Sequence, residues 1–145
     1  MNKLARMKNC AVYGCCNRPF ISGINYLYAI SGAKIGLSIN AANDVSLYHS
    51  NRLVQYLSCG TFGLAKKVPD SDLLFKDSVH LRYFDTADEF FELADWYLKH
   101  HEERQRIALA GMQHAHSEFN CVRIAQCVLD LIEKGSYNAP WAEIL

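Results

Sequence analysis

Apolar and polar positions change period several times along this chain, and each change marks an element. Residues 34–40 (KIGLSIN) set Ile35, Leu37 and Ile39 on alternate positions, the period of two expected of a strand. Residues 62–68 form a second strand that stops at Pro69, and residues 79–84 alternate Val79, Leu81 and Tyr83 as another. A shorter apolar run at residues 10–13, ended by Gly14, predicts one more strand near the start. Between strands the period lengthens. Residues 25–31 carry Leu27 and Ile30 at helical spacing before Gly32, and residues 51–59 bury Leu53, Tyr56 and Leu57 before Gly60. Residues 70–77 read as a helical turn.

The last third is helical. Thr86 opens a helix with Glu89 three residues on, a capping box, and Phe90, Leu93, Ala94 and Tyr97 form its apolar stripe. Residues 102–118 make a polar helix with a thinner stripe through Ile107, Ala110 and Met112. Asn120 caps a final helix in which Ile124, Cys127/Val128 and Leu131 repeat at helical spacing. The tail from Gly135 carries Pro140 and Trp141 and reads as a docking strap. Strands alternating with helices over the first ninety or so residues predict one α/β domain with a mostly parallel sheet and helices on both faces.

Composition narrows the classes of partner. The 145 residues carry 15 basic and 15 acidic side chains, a balance that argues against nucleic acid and anionic membrane as ligands. No stretch approaches the ~20 apolar residues that span a bilayer, and the first residues lack the apolar core of a signal peptide. The cysteines at 10, 15, 16, 59, 121 and 127 follow no disulfide framework and contain no CxxC. They read as buried, reduced thiols of a cytoplasmic protein.

Ligands of open α/β sheets bind beyond the carboxyl ends of the strands. Three such ends are predicted, at residues 14–17, at residues 41–50 and at the Thr86 cap. The second is the longest, a loose polar linker leading into HSNRLVQYLSCG, residues 49–60. Here His49 precedes a helix start at which Ser50 and Asn51 can act as caps and leave backbone N–H groups for an anion. Arg52 adds a guanidinium suited to phosphate, and Gln55, on the same helical face, can reach a sugar hydroxyl beside it. The plain alternative is an ordinary capped helix with Arg52 solvated and Gln55 exposed. Neither GxGxxG nor a P-loop occurs. His114 and Glu118 are spaced i, i+4, but two ligands do not make a metal site, and no metal is expected. No Ser-His-Asp arrangement can be read out, so no catalytic residue is assigned.

From residue 23 to about residue 135 the chain resembles the C-terminal, donor-binding domain of GT-B-fold glycosyltransferases. The branch it is most similar to is the family-1/family-4-like one that includes spore-maturation-type transferases. GINYLYAISGAKIGLSIN resembles that group's G-x-x-Y-x-x-A-I-S-x-A-K-I-x-L-x-x-N segment. HSNRLVQYLSCGTFGLAKK resembles its S-x-R-x-x-E-x-x-A-C-G helix and the strand behind it, and DLLFKDSVHLRYFDTADEFFELADWYL resembles its continuation. The helix through His114 matches its closing R-x-x-I-A-x-x-G element.

The resemblance implies a Rossmann-like three-layer domain, half of a GT-B fold, spanning residues 1–145 as a single partial domain without the N-terminal acceptor domain. Even the donor domain's first strand–helix unit is expected to be missing, as in a fragment or the C-terminal partner of a split enzyme. It implies a metal-independent transferase in which a nucleotide-sugar is the donor substrate, with no separate cofactor. His49, Ser50, Asn51 and Arg52 would then face the diphosphate. Gln55 would stand where the family has a ribose-binding glutamate, offering hydrogen bonds without the charge. Sugar transfer would require an acceptor domain or a partner chain. The alternative is a non-catalytic Rossmann-like interaction module or degenerate glycosyltransferase fragment.

Overall fold

The computed structural model describes Leu4, residues 9–139 and Ala142. Its elements run α1 (Gly23–Ser31), β1 (Ile35–Ser38), α2 (Asn51–Ser58), β2 (Phe62–Lys66), a 3-10 turn (Ser71–Leu73), β3 (Arg82–Phe84), α3 (Ala87–Lys99), α4 (His101–Glu118) and α5 (Cys121–Lys134). The three strands form one parallel sheet in the order β1-β2-β3. Pro140 and Trp141, the expected strap, lie outside the described residues. Among the described residues no helix is long and apolar enough to cross a membrane.

Register explains how the sheet receives its helices. Ile35 pairs with Phe62, Gly36 with Gly63, Leu37 with Leu64 and Ser38 with Ala65. Successive side chains alternate faces, so one face shows a large apolar row and the other a row of glycine, serine and alanine. The large face packs Phe62, Leu64 and Phe84 against Phe90 and Tyr97 of α3. The small face gathers Ala65, Leu81 and Tyr83 with Leu53 and Leu57 of α2 and Ala115 of α4. A Cβ on Gly36 would come within 2.6 Å of the Tyr56 ring, so α2 lies directly on the strands.

The buried face of α4 is Arg104, Ile107, Ala108, Gly111 and Ala115. Four of these are the fixed positions of the R-x-x-I-A-x-x-G element, and they correct the stripe expected through Ala110 and Met112, which are only half-buried. Alanine and glycine carry little hydrophobic signal, which hid the true face. Buried Arg104 donates to the carbonyl of Tyr97, satisfying one of the orphan acceptors at the C-terminal end of α3.

Other expectations also change. Residues 10–13 form no strand. Ala11 and Tyr13 are exposed, and beyond them the backbone turns left-handed at Gly14, Cys16 and Asn17 into a local loop closed by Gly14 N–H donating to Pro19 O at 3.0 Å. β3 starts at Arg82 because left-handed Ser78 bends residues 78–81 into a turn, with Ser78 N–H donating to Leu81 O at 2.8 Å. Thr86 Oγ1 accepts the Glu89 N–H at 3.1 Å, but the Glu89 carboxylate accepts from Asp85, one residue ahead of the cap, at 2.7 Å. None of the cysteines is buried; Cys15, Cys16 and Cys121 are exposed. α5 buries no residue either, and Ile124, Val128 and Leu131 are exposed rather than core.

The seating of α4 gives a test. A Cβ on Gly111 would lie 2.1 Å from the carbonyl oxygen of His80 and 3.2 Å from Leu57. Gly111→Ala should therefore destabilise the protein by about 1–3 kcal/mol in urea unfolding, although alanine brings roughly 1 kcal/mol of helix propensity. Unchanged or increased stability would contradict this packing.

Candidate functional site

The loop from β1 to α2 is tied down, not loose. Asn40, just past β1, accepts the Ser50 N–H on Oδ1 at 3.2 Å and donates from Nδ2 to Tyr48 O at 3.1 Å. Asn43 holds Asn40 in turn, accepting its N–H at 3.3 Å and donating to its carbonyl at 3.1 Å. Two further bonds join the loop to the segment after β2: Leu47 N–H to Pro69 O at 3.0 Å, and Ser46 Oγ to Asp70 Oδ2 at 2.6 Å. One asparagine thus clamps the loop neck and sets where α2 starts.

Ser50 occupies the N-cap position with extended backbone, but its hydroxyl makes no capping bond, which corrects the expected role. Ser50 Oγ is buried with no hydrogen-bond partner. The helix therefore begins with no side-chain cap on its first-turn amides, beside an orphaned hydroxyl and at the carboxyl end of β1. Buried polar atoms in this state are costly unless something satisfies them.

The five sequence-predicted residues divide around this helix start. His49 is half-buried, its Nδ1 3.2 Å from Leu47 O and its ring edge-on to Phe75 and Phe119. It lines a narrow cleft with Ser38, Asn40, Ser71 and Tyr83, holding about 10 Å³, room for roughly one water. Ser50 and Asn51 stand at the helix start. Arg52 and Gln55 are exposed on the flank of α2 turned toward α1. There Arg52 hydrogen-bonds Tyr56 and acts electrostatically on Tyr26 and Cys15, while Gln55 Oε1 accepts the Tyr26 hydroxyl at 2.8 Å.

Asn40, Tyr26, Ser71 and Tyr83 were not singled out in the sequence. Asn40 had a signal, an asparagine closing a strand with a second three residues on. Tyr26 is the fixed tyrosine of the G-x-x-Y segment, as Asn40 is its closing asparagine, whereas Ser71 and Tyr83 are assembled only by the fold. Ser71 is buried with its Oγ unpartnered. The Tyr83 hydroxyl lies 3.0 Å from the carbonyls of Ser71 and Phe75, and burial pushes its pKa up, so it remains a donor.

Three other histidines pack against neighbouring groups. His80 and His114 stack at 4.0 Å and 14°, His80 Nδ1 accepts the Lys76 N–H at 3.2 Å, and His114 Nε2 lies 2.8 Å from Leu74 O. His100 stacks on Trp96 at 3.9 Å.

A model of the glycosyl transferase-like family matches residues 3–130. The chain belongs to this glycosyl transferase-like family. No curated protein matches it in sequence. Solved structures similar to it include two complexes of one protein. The crystal structure of Anabaena Alr3699/HepE in complex with UDP superposes with a TM-score of 0.64 at 15% identity, covering 73% of this chain and 29% of that one. The complex of the same protein with UDP-glucose gives 0.67 at 17% identity, covering 83% and 34%. This family member thus spans about a third of the length of those chains, and its fold matches a GT-B glycosyltransferase fold.

The histidine stack carries a pH prediction. Burial first, then His114 and Lys76, lower the His80 pKa from 6.5 to about 4. The unfolded chain therefore binds the proton first as pH falls. The stability that neutral His80 contributes should be intact above about pH 6.5 and be lost between there and pH 4. Thermal unfolding across that window should fall more steeply for the wild type than for His80→Asn. Parallel curves would contradict the assignment.

Proposed function

We propose that this chain is the nucleotide-sugar donor-binding domain of a GT-B-fold glycosyltransferase, of the family-1/family-4-like, spore-maturation-type branch. It would act in sugar transfer together with an acceptor domain or partner chain. The observation that carries this reading is the uncapped start of α2 at the carboxyl end of β1, with the orphaned Ser50 hydroxyl beside it and Arg52 in the first turn. Unsatisfied helix amides and a guanidinium together suit a diphosphate. Family membership and the likeness to a protein crystallised with UDP and UDP-glucose support it.

In this reading His49, Ser50, Asn51 and Arg52 hold the diphosphate and Gln55 faces the ribose. The chain's part in the chemistry is to bind and orient the donor. Two negative charges of the leaving nucleotide would be stabilised by the helix amides and Arg52, with no metal required.

A second reading, a non-catalytic interaction module, is favoured by α5. Val122 and Ile132 are each 75% exposed, and Leu129 and Leu131 stand beside them.

Calorimetric titration with UDP-, GDP- and ADP-sugars separates the two. Binding of one of them, weakened about tenfold or more by Arg52→Ala, is the expected outcome. No binding at millimolar concentration, or no effect of Arg52→Ala, would overturn the donor-site reading and leave the module.

A further inference from the structure

The flank of α2 that carries Arg52 and Gln55 is built against Tyr26 of α1. The Tyr26 hydroxyl donates to Gln55 Oε1 at 2.8 Å. Burial raises the Tyr26 pKa above its ordinary value, so the phenol keeps its proton at neutral pH. The hydroxyl therefore serves Gln55 as a standing donor.

The consequence lies at the other prong of the amide. A primary amide has an oxygen with two acceptor lone pairs and an NH2 with two donors. The Tyr26 hydroxyl takes one lone pair and holds the oxygen on the α1 side, so the other prong of the amide is Nε2, whose two donors outnumber the one acceptor position left on Oε1. A carboxylate at this position would be the reverse, an acceptor only. The two side chains have nearly the same shape, but only the amide can donate. Arg52, one turn earlier on the same flank, adds more donors.

We propose that Tyr26, by holding the oxygen of Gln55, orients the amide so that the ribose-facing position of α2 acts chiefly as a hydrogen-bond donor, reading ribose oxygens as acceptors rather than depending on the ribose hydroxyl protons. The inference rests on the donor-site reading above. Tyr26 is a positioning residue, since it acts through Gln55, and Gln55 sets specificity. A carboxylate that accepts from ribose hydroxyls makes charge-assisted bonds roughly twice as strong as neutral ones. Losing a hydroxyl therefore costs such a site much more than it costs this one.

The measurement is the ratio of dissociation constants for the 2′-deoxy and ribo forms of whichever of UDP, GDP or ADP binds most tightly. For the wild-type chain that ratio should be small, about two- to fivefold. Gln55→Glu should raise it by roughly tenfold, because the bond lost with the hydroxyl is then the stronger, charge-assisted one. Tyr26→Phe keeps the ring, frees Oε1, and should raise it in the same direction by about threefold. A loosened α1 would weaken both nucleotides equally and leave the ratio unmoved. If nucleotide binds but the ratio is the same in all three proteins, the donor inversion is wrong while the donor site stands. If none of the three nucleotides binds, the donor-site reading falls and takes the inversion with it.

Discussion

Everything in this domain depends on how closely α2 can approach the sheet. The row of Gly36, Ser38, Gly63 and Ala65 leaves no side chain tall enough to hold the helix off, and Leu57 and Leu53 fill the gap left by the glycines. Each of these buried leucines contributes about 1.5–3 kcal/mol. Gly111 does the same for α4, which closes over both α2 and the turn at His80. Close-packed interiors transmit position, so seating the helix body also fixes where its first turn emerges.

That first turn lies where the parallel strands end. Asn40 closes the connecting loop by holding Ser50, and the loop is anchored again at Pro69 and Asp70 beyond β2. Such anchoring consumes the polar groups of the loop while leaving the helix start uncapped. α3 is capped by Thr86 and α5 by Asn120, whose side chain accepts from Arg123, whereas α1, α2 and α4 begin without a side-chain cap. What sets the α2 terminus apart is that its N-cap serine, of a residue type that caps well, keeps its hydroxyl buried and without a partner.

Much of the architecture was legible in the pattern. Alternation found β1, periodicity with glycine stops found α1 and α2, and the capping box found α3. What escaped has physical reasons. Residues 10–13 are apolar but run straight into left-handed turn residues, so no ladder forms. The face of α4 is drawn in alanine and glycine, which an apolar count passes over. The stripe of α5 is real, yet nothing among the described residues covers it, and periodicity cannot say what a stripe will meet. At the candidate site, the start of α2 was readable because its serine–asparagine entry and glycine stop are local marks. The Asn40 clamp, the missing Ser50 cap and the Tyr26–Gln55 bond join residues up to 29 positions apart, and only the fold brings them together.

The central claim is that the open start of α2 holds the diphosphate of a nucleotide-sugar. Amide chemical-shift mapping tests it most directly, by adding UDP-glucose to isotope-labelled protein. The account predicts that the largest shifts fall on the N–H groups of Asn51 and Arg52, with smaller ones at Ser50, Asn40 and Gln55. Shifts confined to α5, or none at millimolar ligand, would contradict it.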